Sequence, residues 1–262
     1  MRSGARMSIS GVQMKLSVRV NPQTAEVEAV AEGGTHILKP EPGAYPEIPR
    51  VENLCMNMAQ SVGFNVPPHG LLAMSDGTLC YVVKRFDRLD TGDKLASESA
   101  FQISGGEDKY KGSLEHVGRV LRSTVTNRGL ESVDFFERIL LCFLIGNGDM
   151  HLKNWGILTD RQGKVGLAPC YDFVSSKLYL KEESDTALTL NGKRDKVTRT
   201  DFEKLADSLR IDPKAAAGSF QKMEHAKNTL LSLCASSALS FPLQESLVDV
   251  IHSRYARLLA GL

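Results

Sequence analysis

One short polar loop constrains this chain more than any other stretch of its sequence. An apolar run over residues 139–145 ends at 146–148, where two glycines can take backbone angles closed to other residues. Asp149 and Asn154 follow, five positions apart. Phosphoryl-transfer loops have this D-x-x-x-x-N spacing, because the aspartate accepts the proton of the substrate hydroxyl and the asparagine holds Mg²⁺. Taken alone, such a pair is more often a turn or a helix cap. His151 is expected to hydrogen-bond within the loop, since no second histidine or cysteine lies at metal-ligand spacing.

A second acid supports the phosphotransferase interpretation. Asp172 lies eighteen residues after Asn154, beyond two apolar stretches, 155–158 and 165–169, that indicate a hairpin. Such a hairpin would bring Asp172 back towards Asp149, where a kinase-like site has its main metal ligand. We therefore predict a phosphotransferase that uses ATP and Mg²⁺.

Composition and charge exclude several classes of protein. The 262 residues carry a formal net charge of +1, which gives no footprint for direct nucleic-acid binding. The longest apolar run, 139–145, is far too short for a membrane span, and no signal peptide is visible. Five scattered cysteines without a C-x-x-C pair favour free thiols over disulfides or a zinc site. We therefore expect a cytoplasmic protein that contacts neither membrane nor nucleic acid directly.

The N-terminal segment combines a predicted strand with a candidate phosphate loop. Residues 14–20 alternate apolar and polar side chains, which predicts a strand. Ser8, Ser10 and Gly11 precede it in a turn whose N–H groups and hydroxyls could cradle phosphate. An ordinary hairpin turn fits this stretch equally well.

A lysine and a glutamate on the next two elements form a candidate pair. Residues 35–40 predict a strand that carries Lys39, and residues 51–62 have the periodicity of an amphipathic helix that includes Glu52. Kinases place a nucleotide-binding lysine on such a strand and pair it with a helical glutamate. Alternatively, both side chains lie at the surface and are solvated.

A hinge is predicted after the following hairpin. Residues 71–74 and 79–83 indicate two strands around a Ser-Asp-Gly-Thr turn, and residues 84–88 leave the second strand. In a two-lobed kinase this position is the hinge, whose backbone groups would bind the adenine. A charged strand end is the other interpretation.

The rest of the chain has a mostly helical pattern. Residues 97–103, 113–123 and 133–145 predict helices, the last of which delivers the catalytic loop. Residues 174–199 are charged and irregular, and they correspond to an activation or substrate-docking segment. Helices are predicted from Thr200 to the end of the chain.

Five segments in one order carry a resemblance to a known protein family. They are residues 8–15, 37–40, 84–88, 147–154 and 167–172. With them the sequence resembles the HipA family of toxin kinases over essentially its whole length. Members of that family are serine/threonine protein kinases of toxin–antitoxin systems. The resemblance implies an α+β, two-lobed protein-kinase-like fold, with a small β-rich N-lobe over residues 1–88 and a mostly helical C-lobe over residues 89–262.

The resemblance also implies roles for individual residues. Asp149 would be the catalytic base, and Asn154 and Asp172 would hold Mg²⁺. ATP would contact the phosphate loop, the strand lysine, the hinge and the catalytic loop through Ser10, Gly11, Val12, Gln13, Lys39, Lys84, Arg85, Phe86, His151 and Lys153. Ser8 and Ser10 would be the loop serines that this family autophosphorylates.

The position of the phosphate loop indicates which branch of the family is most similar. HipA proper carries an extra N-terminal subdomain before the loop, whereas here the loop begins near Ser8. The chain is therefore most similar to HipT, the short toxin of HipBST systems, and a shortened HipA would look the same. Expected partners are a HipS-like small protein, a HipB-like helix-turn-helix antitoxin that contacts DNA, and an aminoacyl-tRNA synthetase as substrate.

Two other functions fit parts of the sequence. Small-molecule kinases of the aminoglycoside or choline kinase type have a loop similar to residues 147–154, but Ser8, Ser10 and residues 85–88 favour the toxin family. A non-catalytic ATP-binding module that sequesters partners is the third candidate. All the expected catalytic residues are present, which favours an enzyme.

We expect the double substitution Ser8→Ala and Ser10→Ala to abolish self-labelling, because it removes both acceptor hydroxyls. Each phosphoserine would add roughly two negative charges to the loop and repel ATP. The measurement is incorporation of labelled phosphate, with circular dichroism to check the fold. Undiminished labelling of the double variant would exclude these serines as acceptors.

Overall fold

The computed structural model describes residues 13–21, 23–24 and 26–259. Four residues of the predicted phosphate loop lie outside this range and stay predictions: Ser8, Ser10, Gly11 and Val12. Among the residues that are described, no helix is long and apolar enough to cross a membrane. All five cysteines are buried free thiols, as their spacing predicts.

An antiparallel sheet forms the N-terminal part of the molecule. Its strands are β1 (Leu16–Val20), β2 (Val27–Ala29), β3 (His36–Lys39), β4 (His69–Ala73) and β5 (Leu79–Lys84). They lie in the order β2-β1-β3-β5-β4, and Leu16 of β1 is opposite Leu38 of β3. The predicted strands 14–20 and 35–40 are confirmed as β1 and β3, and the predicted hairpin over 71–83 is confirmed as β4 and β5.

Helix α1 (Ile48–Ser61) packs against β4 and β5. It begins before the predicted start at residue 51, because Pro49 fits the first turn of a helix, where its missing N–H is no loss. The apolar positions of the helix are buried, which fixes its rotation about its own axis. That rotation brings Glu52 to β3.

Six helices, as far as the described residues extend, form the C-terminal part. They are α2 (Ala100–Ile103), α3 (Leu114–Thr124), α4 (Arg128–Leu144), α5 (Arg199–Ser208), α6 (Pro213–Ala235) and α7 (Phe241–Leu259). Ser113 caps α3 by accepting from the His116 N–H at 3.1 Å, as expected from its position before the helix. The predicted start at Thr200 is nearly right, because Thr198 and Asp201 form a capping box at α5.

The predicted helix 97–103 is wrong over its first three residues. Residues Ser97–Ser99 form strand β6, which pairs with β7 (Gly156–Thr159), and β7 pairs with β8 (Val165–Leu167). The helix starts only at Ala100 because Ser99 and Gln102 form a capping box, with the Ser99 N–H 2.9 Å from the Gln102 Oε1. The predicted hairpin between 155 and 169 is confirmed as β7 and β8.

Helix α4 runs through the centre of the core and leads into the loop over residues 146–154, the predicted catalytic loop. It begins at Arg128, earlier than the predicted residue 133, because the Asn127 side chain accepts a hydrogen bond from the Leu130 N–H at 3.3 Å. Three edge-to-face aromatic contacts lie on either side of it: Phe135–Trp155, Phe136–Phe220 and Phe143–Phe202. Packing of this kind fixes the C-terminal end of the helix, from which the loop begins.

The architecture confirms the predicted fold class. A β-sheet N-lobe with one packed helix precedes a mostly helical part, which is an α+β arrangement. Along the chain, the last strand of this sheet is β5, which ends at Lys84. The boundary between lobes at residue 88 stays a prediction.

A buried acid fixes the irregular segment 174–199 to the helical core. The Asp185 carboxylate pairs directly with Arg254 and Arg257 of α7, and it accepts a hydrogen bond from the Val197 N–H at 2.9 Å. Burial favours the neutral acid, but these partners outweigh it and hold the pKa of Asp185 at about 2. The segment is therefore irregular in secondary structure but firmly attached.

We expect Asp185→Asn to lower the free energy of unfolding by about 3–5 kcal/mol, because it leaves two cations facing an uncharged amide. Asp93→Asn is the control, since Asp93 pairs with Arg161 at 3.0 Å where both side chains are exposed. That loss should be about 0–1 kcal/mol. Urea denaturation measures both, and equal stability of Asp185→Asn and the wild type would contradict the anchoring role.

The same carboxylate predicts a dependence on pH. The pKa of Asp185 is about 2 in the folded protein, below the usual value of roughly 3.9 that applies to the unfolded chain. Its stabilisation is therefore complete above the unfolded pKa and is lost as pH falls through the folded value. As pH falls from roughly 3.9 to about 2, the free energy of unfolding of the wild type should decrease more steeply than that of Asp185→Asn.

Candidate active site

A buried lysine joins three elements at the centre of the site. Lys39, at the end of β3, forms ion pairs with Glu52 of α1 and with Asp172 beyond β8. Its exposed fraction is 3%, and that of Glu52 is 2%. The predicted pairing of Lys39 with Glu52 is confirmed.

A second lysine stabilises the negative charge of Asp172. Lys15 Nζ lies 3.0 Å from Asp172 Oδ2. Burial raises the pKa of Asp172, but Lys39 and Lys15 outweigh it and hold that pKa well below its usual value. Burial likewise opposes the charge of Lys39, whereas Asp172 and Glu52 raise its pKa above the ordinary value. The site thus holds fixed charges at neutral pH.

Sequence reasoning missed Lys15 as a site residue. Leu16 pairs with Leu38 across β1 and β3, so Lys15 and Lys39 occupy neighbouring positions at one end of the sheet. Only the register reveals this, because a single strand pattern does not say which residues face each other.

Asp172 has a strained backbone. Its φ of 56° lies in the left-handed region, which residues other than glycine rarely adopt. Such a conformation costs roughly 1–3 kcal/mol and persists only where the surroundings hold it. Here the two lysine contacts hold the carboxylate in place.

The catalytic loop holds Asp149 and Asn154 together. Asn154 Nδ2 donates a hydrogen bond to the backbone carbonyl of Asp149 at 3.2 Å. Asp149 Oδ1 accepts a hydrogen bond from the Tyr110 hydroxyl at 2.6 Å. Both loop residues are buried, so their spacing is set by the fold.

His151 is an uncharged member of this loop. It is buried and meets the ring of Tyr110 edge-on, with 5.2 Å between ring centroids. Burial lowers the pKa of His151 to about 4. The imidazole is therefore neutral at physiological pH and does not compete with a metal ion for the nearby carboxylates.

A cleft of about 590 Å³ opens between the sheet and the catalytic loop. Eight of the residues predicted to hold ATP or Mg²⁺ line it: Lys39, Lys84, Arg85, Phe86, His151, Lys153, Asn154 and Asp172. Phe86 and Tyr171 lie at its wall with ring centroids 5.5 Å apart. Its volume is in the range that ligand pockets of proteins occupy.

Two further cavities adjoin the catalytic loop. A cavity of about 10 Å³ is lined by Gln13, Lys39, Glu52, Asp149, Asn154, Asp172 and two apolar side chains. A groove of about 560 Å³ is lined by Asp149, Tyr110, Tyr179 and residues 180–184. Asp149 lines the small cavity and the groove, whereas Asp172 lines the small cavity and the cleft. The two acids therefore share the small cavity, and each also faces a larger space: Asp149 faces the groove and Asp172 faces the cleft.

The loop approaches segment 174–199 so closely that one position must be glycine. A Cβ at Gly148 would lie 2.6 Å from the backbone carbonyl oxygen of Ser184. The Gly148 N–H also donates to Ser176 Oγ at 2.9 Å. Of the two glycines predicted to take special backbone angles, Gly146 does so, with φ 70°. Gly148 is instead required by packing against the segment, which forms one wall of the groove.

The oxygen donors of Asp172 and Asn154 fit Mg²⁺. Mg²⁺ is usually held by one or two carboxylates together with substrate phosphates, rather than by a cage of protein ligands alone. Over residues 13–21, 23–24 and 26–259, no group of three or more His, Cys, Asp or Glu side chains could hold a metal ion. The donor set thus suits an ion shared with a phosphate-bearing ligand.

Two solved structures have the same kind of fold. HipA of Shewanella oneidensis MR-1, determined with HipB and operator DNA, matches with a TM-score of 0.82 at 20% identity, covering 99% of this chain and 66% of that chain. CtkA, a proinflammatory kinase of Helicobacter pylori, matches with a TM-score of 0.63 at 14% identity, covering 93% of each chain. The fold is therefore kinase-like.

The sequence identifies the family. This chain belongs to the family of HipA-like C-terminal domains, whose model matches residues 7–230. A "Putative kinase" of Haemophilus influenzae is 30% identical over 197 residues, which are 70% of this chain and 57% of that protein. "Putative kinase Y4dM" of Sinorhizobium fredii is 31% identical over 205 residues, 71% of this chain and 49% of that protein. The chain spans about half the length of these curated relatives.

We expect Lys39→Met to lower the free energy of unfolding by about 3–5 kcal/mol, because Glu52 then stays buried without its cation. The double substitution Lys39→Met with Glu52→Gln should recover part of that loss, since Asp172 keeps Lys15 as its partner. Urea denaturation distinguishes the two variants. A double variant no more stable than Lys39→Met would show that charge compensation is not what Lys39 contributes.

Proposed function

We propose that this protein is an ATP- and Mg²⁺-dependent serine/threonine protein kinase. The observation that carries the proposal is the position of Asp149. It lies between the groove on one side and, on the other, the small cavity where Lys39 and Asp172 meet. The groove has room for an acceptor hydroxyl next to this base. Asn154 and Asp172, which line the small cavity together with Asp149, also line the cleft that would hold the phosphate chain. Membership of the HipA-like family supports the same conclusion.

The cleft would hold the nucleotide. Lys39, held by Glu52, would bind the phosphates, and residues 84–86 would line the adenine side. Asn154 and Asp172 would hold Mg²⁺, which neutralises charge on the phosphates when bound. Ser10, Gly11 and Val12 of the predicted phosphate loop would also contact ATP.

Asp149 would act as the general base. As the acceptor oxygen forms its bond to the γ-phosphorus of ATP, the bond to the β,γ-bridging oxygen breaks and ADP leaves. The acceptor proton passes to the Asp149 carboxylate. Catalysis of this kind depends on positioning and charge neutralisation, which the buried and mutually bonded side chains supply.

A protein acceptor fits the groove. Lys181 and Glu182 at its rim are exposed, so the groove is accessible from the surface. A segment of a partner protein or of a second copy of this chain could reach Asp149 from there. We further propose Ser8 and Ser10 as autophosphorylation sites, and an aminoacyl-tRNA synthetase as the protein substrate.

The biological role we propose is that of a toxin in a cytoplasmic toxin–antitoxin system. The support is family membership and the structural likeness to HipA, which was determined with HipB and operator DNA. A HipB-like antitoxin would bring the complex to DNA. A HipS-like partner is proposed on the resemblance to HipT.

The test begins with protein that has been treated with phosphatase. We expect the wild type, incubated with Mg²⁺ and labelled ATP, to label itself on Ser8 or Ser10, and Asp149→Ala not to. Mass spectrometry maps the phosphate. No label on the wild type would contradict the proposed protein kinase, and transfer to aminoglycosides or choline instead would identify a small-molecule kinase.

A second test separates the roles of the two acids. Asp149→Asn should reduce phosphate transfer by roughly 100- to 10,000-fold while binding ATP normally, because a general base acts only on the acceptor. Asp172→Asn should weaken Mg²⁺-dependent binding of ATP. Isothermal titration calorimetry measures both affinities, and equal affinities would contradict this division of roles.

A further inference from the structure

We propose that Tyr110 is a positioning residue for phosphoryl transfer: its hydroxyl fixes the orientation of the Asp149 carboxylate towards the acceptor groove. The role rests on the proposed function, since it requires that Asp149 acts as a base. Sequence analysis gave Tyr110 no role in the site; it lies between the predicted helices 97–103 and 113–123.

The contact itself is short and directional. The Tyr110 hydroxyl donates to Asp149 Oδ1 at 2.6 Å, and Asp149 is 4% exposed. Hydrogen bonds from a neutral donor to a buried carboxylate are stronger than those between neutral groups. One such bond to one oxygen is enough to hold the carboxylate plane at a fixed rotation about its Cβ–Cγ bond.

Hydrogen bonds to its own backbone and to that of its neighbour Lys109 hold the tyrosine in place. The Leu152 N–H of the catalytic loop donates to the Lys109 carbonyl at 3.0 Å. The Tyr110 N–H donates to Asp108 Oδ1 at 2.9 Å, and Arg194 Nη2 donates to the Tyr110 carbonyl at 2.6 Å. The residue is thus attached both to the catalytic loop and to segment 174–199. A donor attached in this way is suited to orient the carboxylate rather than to swing away from it.

The ring of Tyr110 has a second partner in the loop. His151 meets it edge-on at 5.2 Å between centroids. This packing limits rotation of the phenol and keeps the hydroxyl directed at Asp149. Tyr110 lines the groove but not the nucleotide cleft, so its influence lies on the acceptor side of Asp149.

A fixed carboxylate matters because phosphoryl transfer depends on alignment. The acceptor oxygen must point at the γ-phosphorus while its proton points at the base, and a small error in placement lowers the rate strongly. Loss of the Tyr110 hydroxyl should therefore slow transfer without affecting ATP binding. The expected size is roughly 10- to 100-fold, from the strength of a hydrogen bond to a charged group.

The test compares Tyr110→Phe with Tyr255→Phe in the full chain. The Tyr255 hydroxyl donates to the Met223 carbonyl at 2.6 Å in the helical core, so this control removes a hydrogen bond of equal length away from the site. Self-labelling by ATP and Mg²⁺ gives the maximal rate and the ATP concentration for half-maximal rate. Thermal unfolding gives the Tm of each variant.

We expect the maximal rate of Tyr110→Phe to fall roughly 10- to 100-fold at an unchanged half-saturating ATP concentration and an unchanged Tm. Tyr255→Phe should keep the wild-type rate even where its Tm falls. A Tyr110→Phe rate equal to or above that of the wild type would overturn the proposal, and a faster variant would mean that the hydroxyl obstructs the acceptor. A rate loss matched by a fall in Tm or in ATP affinity would also overturn it, as a purely structural effect. Absence of labelling by the wild type would instead overturn the proposed function, and this role with it.

Discussion

The ion pairs of Lys39 with Glu52 and Asp172 determine how the two parts of this molecule meet. Lys39 and Glu52 are removed from water, and the Asp172 side chain that joins them is 17% exposed. Such burial is tolerated only if every partner is present in good geometry. Because β3, α1 and the turn beyond β8 each supply one group, the sheet and the helical part must dock in one arrangement. The strained backbone of Asp172 is consistent with this, since the lysine contacts hold a conformation that the residue alone would not adopt.

The position of the predicted catalytic loop is set by helix packing rather than by ion pairs. Helix α4 is buried on all sides near its C-terminal end, so the loop that follows starts from a rigid position. From there Asp149 and Asn154 are joined by a hydrogen bond, and Gly148 permits the close approach of segment 174–199. That segment is in turn fixed by Asp185 to the last helix. The groove beside Asp149 is therefore formed by irregular backbone that is nevertheless held rigidly.

Local patterns predicted much of this arrangement, and the misses have physical causes. Alternation and helical periodicity predicted β1, β3 and α1. The pairing of Glu52 with Lys39 was predicted from the order of elements in kinases, and solvated positions for both side chains were the alternative. The strand Ser97–Ser99 was missed because its pairing with β7 is a tertiary contact that outweighs local propensity. Lys15 depends on the register between strands, and Tyr110 depends on how a polar stretch folds back onto the loop. Neither leaves a periodic signal in the sequence.

A crystal structure with a non-hydrolysable ATP analogue and Mg²⁺ would test the account most directly. We predict that the nucleotide occupies the cleft of about 590 Å³, with its phosphates at Lys39 and the metal ion between Asn154 and Asp172. Asp149 should remain on the groove side, in hydrogen-bond reach of an acceptor hydroxyl. A nucleotide bound elsewhere, or a metal ion that does not contact Asp172, would contradict the assignment of this site to phosphoryl transfer.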